Sequence, residues 1–323
     1  MIRMVDHIPV ILGIYLVIFI IGSIGNLLVI YIIGRFSEVR VQSVANYYIW
    51  NLAFADFFFI CTLPFFCYAS YVGDWPFGNG TCKISFAIRE GNKFVGVYTL
   101  VALSLDRYTA SYYSLNNLRT LSVGKWVCTT VWICSIVLTT PYWLYAQTVP
   151  VKPGFSSCRL VWPPPEQEGT ITMKSWTYFQ FIVGFLLPFW AIFVAYVALG
   201  VRLRMMLSHG SRLAVKRPGR MMTHMTIIIS VTFLFTQLPY YVMELANHAK
   251  GEALRMRKPQ EVISQTEMKT FVMLTACAKI LVFVSSCCNP IIYGLLNRNY
   301  SKYSFIHSYS ASSSPLLLRG TPD

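Results

Sequence analysis

Asp106, Arg107 and Tyr108 stand together near the end of an apolar stretch that begins at Cys82 and runs to about Tyr113. An acid beside a base at the end of a membrane helix is chemistry for a switch. The carboxylate holds the guanidinium in one state, and a cytoplasmic partner takes it in another. The plainer alternative is an interfacial arginine that only anchors the helix end. A second acid, Asp56, lies inside another apolar run, with Asn26, Asn92, Ser285 and Asn289 in neighbouring ones. A charge at the centre of hydrocarbon costs at least ~2.5–3.5 kcal/mol, so it needs a partner or a purpose. Amides around one carboxylate can hold a small cation such as sodium, with water. The alternative is a static hydrogen-bonded knot that glues helices.

A third set is ionic. Arg89, Glu90 and Lys93 occupy the first half of the Cys82 stretch, and Arg89 and Lys93 share a helix face. Glu244 and Lys279 sit near the ends of two later stretches, and Gln237 and Tyr240 lie on the helix of Glu244. Cations on one face repel unless an acid or an anionic ligand meets them. The set therefore points to a ligand site in which Arg89, Lys93 and Lys279 meet anionic groups and Glu90 or Glu244 takes a basic one. The alternative is snorkelling to the interface, which fits Arg89 and Glu244 better than Lys93, a full turn deeper.

Helices that cross a bilayer must carry these groups. The chain has 323 residues, is 55% hydrophobic and only 12% charged, against about 25% charged in soluble domains. The net charge of +14 reads as loop charge that orients helices rather than as a nucleic-acid surface. Seven stretches satisfy the ~20-residue requirement, at about 8–33, 44–71, 82–113, 124–146, 174–205, 218–248 and 268–296. The expected fold is an all-α membrane protein, a seven-transmembrane helix bundle. Residues 297–309 alternate basic and aromatic side chains, which predicts a short amphipathic helix on the membrane surface. Residues 310–323 are Ser-rich and predict a disordered tail with sites for phosphorylation.

The loops after spans one, three and five hold Arg35, Arg40, Arg119, Arg212, Lys216 and Arg217 against one acid, Glu38. Lys/Arg bias places these loops in the cytoplasm and the N-terminus outside. Cys82 and Cys158, the two of nine cysteines in polar connecting segments, then lie outside, where a disulfide is expected. Asn79 opens an exposed glycosylation triplet, Asn79-Gly80-Thr81. Pro64, Pro141, Pro188, Pro239 and Pro290 interrupt five spans, and kinks at these points would open an outward cavity and supply hinges.

The order of motifs resembles the rhodopsin-like (class A) G-protein-coupled receptors over almost the whole chain. The motifs are Gly25-Asn26, Asn51-Leu52-Ala53 with Ala55-Asp56, Asp106-Arg107-Tyr108, Trp132, Pro188 with Tyr196, Phe233 with Pro239, and Asn289-Pro290-Ile291-Ile292-Tyr293. Trp75-Pro76-Phe77-Gly78 ahead of Cys82 is similar to the somatostatin and opioid receptors, and allatostatin-C receptors fit equally. Thr62-Leu63-Pro64 and Gln237-Leu238-Pro239-Tyr240 are similar to chemokine receptors. The resemblance implies a plasma-membrane receptor for an extracellular neuropeptide-like ligand, not an enzyme. It implies signalling through inhibitory heterotrimeric G proteins and arrestin binding to the phosphorylated tail.

It also implies an activation switch of Asp106, Arg107, Tyr108, Tyr196, Thr223, Phe233, Pro239, Asn289, Pro290 and Tyr293, and a ligand cavity between spans three, five, six and seven. No cofactor is implied beyond an allosteric sodium ion. Several positions depart from the family pattern. Arg89 stands where somatostatin and opioid receptors carry an aspartate, which inverts the ligand charge. Gln237 replaces the usual tryptophan, and Gly96 replaces a serine often present near the sodium site. A small acidic molecule or a chemokine-like protein is the alternative ligand. A retinal photoreceptor fits least, because the opsin lysine position is Phe283 and Lys279 lies one turn too early.

Overall fold

The computed structural model describes residues 8–36, 44–112, 119–163, 171–208, 217–256 and 265–296. The expected surface helix at 297–309 and the tail at 310–323 lie outside the described residues. Six helices among those described are long and apolar enough to cross a bilayer. The helix of span three, Gly78–Thr109, falls outside that set because Arg89, Glu90 and Lys93 crowd one half and Asp106 and Arg107 the other. Its 32 residues nevertheless rise about 48 Å, well beyond the ~30 Å hydrocarbon core. It is also the central post, packed against spans two, four, five and six and against both strands of the hairpin described below.

Span one is Ile8–Arg35 and packs on spans two and seven. Span six is Arg217–Met256 and span seven Gln265–Leu296. The remaining spans are broken at proline. Span two is Val44–Cys61 followed by Leu63–Val72, and span four is Leu121–Leu138 followed by Thr140–Tyr145. Span five is Met173–Phe181, a π-helical turn Ile182–Leu186 just before Pro188, and Leu187–Ser208. A proline ring collides with the carbonyl four residues earlier and removes a backbone donor, which weakens the helix at each of these points. Nearby hydroxyls satisfy carbonyls at two of the breaks. Thr62 Oγ1 donates to the Phe59 carbonyl at 2.7 Å, and Thr140 Oγ1 to the Val137 carbonyl at 2.7 Å. Pro239 and Pro290 lie inside continuous helices instead, so a proline alone does not decide between a break and a bend.

The segment expected as a plain loop after span four forms a hairpin, β1 (Ala146–Lys152) and β2 (Phe155–Leu160), paired antiparallel. Pro153-Gly154 makes its turn, with Gly154 at φ 78° where a side chain would be strained. The Cys82–Cys158 disulfide ties β2 to the start of span three. Apolar side chains cover much of the outside, with Trp126 71% and Phe235 68% exposed. That outward apolar surface is the expected arrangement when the solvent is hydrocarbon. The protein is a multi-pass membrane protein.

Candidate ligand chamber and switch

At the hairpin end, spans one, two, three, six and seven enclose a cavity of about 700 Å³. Arg89 and Lys93 line it from span three, Tyr240 and Glu244 from span six, and Lys279 from span seven. Aromatic rings form part of its wall. Phe59 and Phe283 stack with centroids 4.3 Å apart, and Tyr15 meets Phe283 edge-on at 5.7 Å. The expectation of a cavity walled by span five is corrected. Span five closes against spans three and six, because a Cβ at Gly184 would fall 2.7 Å from the Tyr241 hydroxyl and 3.3 Å from the Phe94 ring. Phe185 meets Tyr241 at 5.2 Å, and the Tyr98 hydroxyl donates to the Val183 carbonyl at 2.9 Å within the π turn. This seam leaves the room on the side of spans one and two.

Glu90 and Gln237 are also corrected, since neither lines the cavity. Glu90 is 2% exposed and accepts from Lys93 Nζ at 2.6 Å, Arg89 Nε at 3.2 Å and Gln180 Nε2 at 3.4 Å. It neutralises charge from inside the protein rather than meeting a ligand. Gln180, on span five, is a partner that the sequence reading missed. The Lys93 ammonium also sits over the Tyr240 ring at 3.8 Å, and the Arg89 guanidinium over Phe86 at 4.6 Å and Phe66 at 5.0 Å. Gln237 is buried, and its Oε1 has no hydrogen-bond partner.

One helical turn from Phe59 lies Asp56, 2% exposed. Ser286 Oγ donates to its Oδ1 at 2.7 Å, Asn92 Nδ2 to Oδ1 at 3.3 Å, and Asn289 Nδ2 to Oδ2 at 2.8 Å. The serine is Ser286, not Ser285 as expected. Asn26 does not bond Asp56 either. Its Nδ2 donates to the Ser286 carbonyl at 3.1 Å and the Gly22 carbonyl at 2.9 Å. The Oδ1 atoms of Asn26 and Asn92 are buried without hydrogen-bond partners. A parallel network ties spans two, three and four: Trp132 Nε1 donates to Asn51 Oδ1 at 2.8 Å, and Asn51 Nδ2 to Thr99 Oγ1 at 3.1 Å.

At the far end Asp106 and Arg107 form a buried ion pair. Asp106 takes a second guanidinium, with Arg119 Nε 3.0 Å from its Oδ1. The sequence counts Arg119 only as loop charge, and nothing in its spacing marks it as a partner of Asp106. Tyr108 turns to Tyr112, hydroxyl to hydroxyl at 3.3 Å, rather than to the ion pair. Tyr196 shares a 3.5 Å hydroxyl contact with Ser230, and the Thr223 carbonyl accepts from Thr226 Oγ1 at 2.9 Å. Tyr293 is buried with its hydroxyl unpartnered, in the same apolar cluster that Tyr196 and Phe233 pack against. Asn79 is exposed in the first turn of span three, its Oδ1 accepting from the Thr148 amide at 3.1 Å.

The family model described as 7 transmembrane receptor (rhodopsin family) matches residues 25–293. Somatostatin receptor type 1 of Rattus norvegicus is 30% identical over 291 residues, covering 90% of this chain and 69% of that protein. Somatostatin receptor type 4 of the same organism is 29% identical over 292 residues, covering 90% and 70%. Melanin-concentrating hormone receptor 1 of Sus scrofa is 29% identical over 289 residues, covering 88% and 77%. A family match over residues 25–293, on a bundle with this buried ion pair, establishes that the chain belongs to the rhodopsin family of seven transmembrane receptors.

Proposed function

We propose that this chain is a plasma-membrane receptor for an extracellular peptide carrying an anionic group, and that it signals through an inhibitory G protein. The observation that carries the ligand class is the cavity lined by Arg89, Lys93 and Lys279 against a single lining carboxylate, Glu244, so that even with Glu90 behind the lining the cations outnumber the acids. The relatives named for somatostatin and melanin-concentrating hormone support a peptide. The Lys/Arg bias of the loops supports an outside N-terminus, which opens the cavity to the exterior. Binding selects one of two helix arrangements by its difference in affinity between them. Phe59 lies three residues from Asp56 on span two, and Phe283 three residues from Ser286 on span seven, so pressure on these rings is felt at the polar cluster. Span six hinges at Pro239, Asp106 releases Arg107, and a cleft opens for a G-protein helix. Arrestin would follow at the phosphorylated tail.

The Asp56 cluster also supports a sodium ion. One carboxylate and two buried, unpartnered amide oxygens, on Asn26 and Asn92, are the donors a hard cation takes. A bound ion would add positive charge beside Asp56. Replacing sodium by choline should lower the unfolding temperature of the purified receptor, and Asn92→Val should abolish that difference.

The test of function is a peptide screen on cells expressing the receptor, read by suppression of cyclic AMP. Acidic peptides should suppress it, and an Arg89→Gln, Lys279→Gln variant at equal surface level should lose the response. An unaltered response in that variant would refute the anion assignment. The cavity volume lies within the ~300–1,000 Å³ of small-ligand sites, so small carboxylates are the second class to screen.

A further inference from the structure

The charges in the chamber are not equally free. Glu90 engages both Lys93 and Arg89 from inside the protein, and Gln180 completes its shell. That leaves Lys279 on span seven and Glu244 on span six. Both line the cavity, and among the described residues neither has an oppositely charged group within 4 Å. They carry opposite charge, they stand on adjacent helices, and they face one space. Lys279 is exposed and Glu244 half-buried, so a ligand entering the cavity can reach both and supply the opposite charge to each.

We infer that Lys279 and Glu244 together read a zwitterionic ligand group, a carboxylate next to an ammonium or guanidinium, rather than an anion alone. Lys279 Nζ donates to the carboxylate, and the Glu244 carboxylate accepts from the cationic group. Two peptide ends offer this chemistry. One is a free amino terminus on an acidic residue, and the other is a free carboxyl terminus on a basic residue. The inference rests on the peptide reading above and specifies which part of the peptide the chamber discriminates.

The experiment uses two synthetic tetrapeptide libraries, one with an acidic first residue and one with a basic last residue. Each is made with both ends free, the amino end acetylated, or the carboxyl end amidated. The readout is suppression of cyclic AMP by wild-type, Lys279→Gln and Glu244→Gln receptors at equal surface level. For the acidic-first source, acetylation should raise the half-maximal concentration at least about tenfold on wild type, and amidation should not. For the basic-last source the two modifications exchange roles. The cycle then separates recognition from structure. Lys279→Gln should erase the penalty for losing the ligand carboxylate, and Glu244→Gln the penalty for losing its cation. If each variant weakens every peptide form by the same factor, the two residues only balance one another, and the zwitterion reading is overturned while the peptide reading stands. If no form of either library acts on wild type, the zwitterion reading falls. If longer acidic peptides also fail, the peptide reading falls with it.

Discussion

Lys93 is 5% exposed and Glu90 2%, so each depends on the other for its charge. Glu90→Gln leaves a buried ammonium with only neutral acceptors and the Tyr240 ring. Such a break costs about 3–5 kcal/mol, which should lower the unfolding temperature of the purified receptor by several degrees. The double variant Glu90→Gln, Lys93→Met removes both charges and should recover most of that loss. A double variant as unstable as the single one would show that packing, not charge, holds this corner. At the other end, Arg119 shares Asp106 with Arg107 across 3.0 Å and is one-quarter exposed. Its loss is worth about 1 kcal/mol, or roughly fivefold in the ratio of resting to active states. Arg119→Ala should therefore raise ligand-independent suppression of cyclic AMP at equal surface level. Unchanged basal signalling would remove Arg119 from the lock.

Sequence spacing fell short at this scale for a definite reason. Positions three and four before Asn289 both lie on its helix face, so Ser285 and Ser286 were equally eligible. Only packing against span two brings Ser286 to Asp56. Glu90 shows the same limit, because helical spacing pairs it with Lys93 but does not say whether the pair faces the cavity or span five.

Among the elements, span five decides the shape of the chamber. The π turn and Gly184 let it approach spans three and six closely enough to close that side. Gly184→Leu would force a side chain into the Tyr241 and Phe94 rings, and overpacking of this kind costs about 1–3 kcal/mol. The unfolding temperature should drop, whereas Gly13→Leu, where nothing lies within 4 Å of a built Cβ, should change little. Equal effects would mean that the seam is loose. The hairpin is the other element that the sequence did not reveal. Ala146–Lys152 mixes polar and apolar residues around Pro150, a weak strand signal, and its pairing depends on the distant Cys82 and on Asp74, whose Oδ1 accepts from the Ser156 amide at 2.7 Å.

For the molecule as a whole, topology is the claim on which the functional reading stands. A membrane-impermeant thiol reagent should label Lys152→Cys in the hairpin on intact cells. It should reach Asn117→Cys, between spans three and four, only after permeabilisation. Labelling of both from one side would remove the seven-crossing arrangement. The chamber, the Phe59–Phe283 stack that lines it and the Asp56 cluster one turn further follow one another along spans two and seven, and the Asp106–Arg107 pair lies toward the far end of span three.

The sequence by itself determined the number of crossings, the two chemically distinct ends and the disulfide partners. Hydrocarbon imposes runs of ~20 apolar residues, and polar exceptions to such runs stand out. It also determined family membership, because the motifs recur in order along a single chain. The tertiary structure alone decided which spans wall the chamber, that Glu90 serves the protein's own cations while, among the described residues, Lys279 and Glu244 have no ion-pair partner, and that Arg119 shares Asp106 with Arg107. These outcomes depend on how far helices rotate and how closely they approach. Side-chain volume across a seam sets that distance, and no single helix records it.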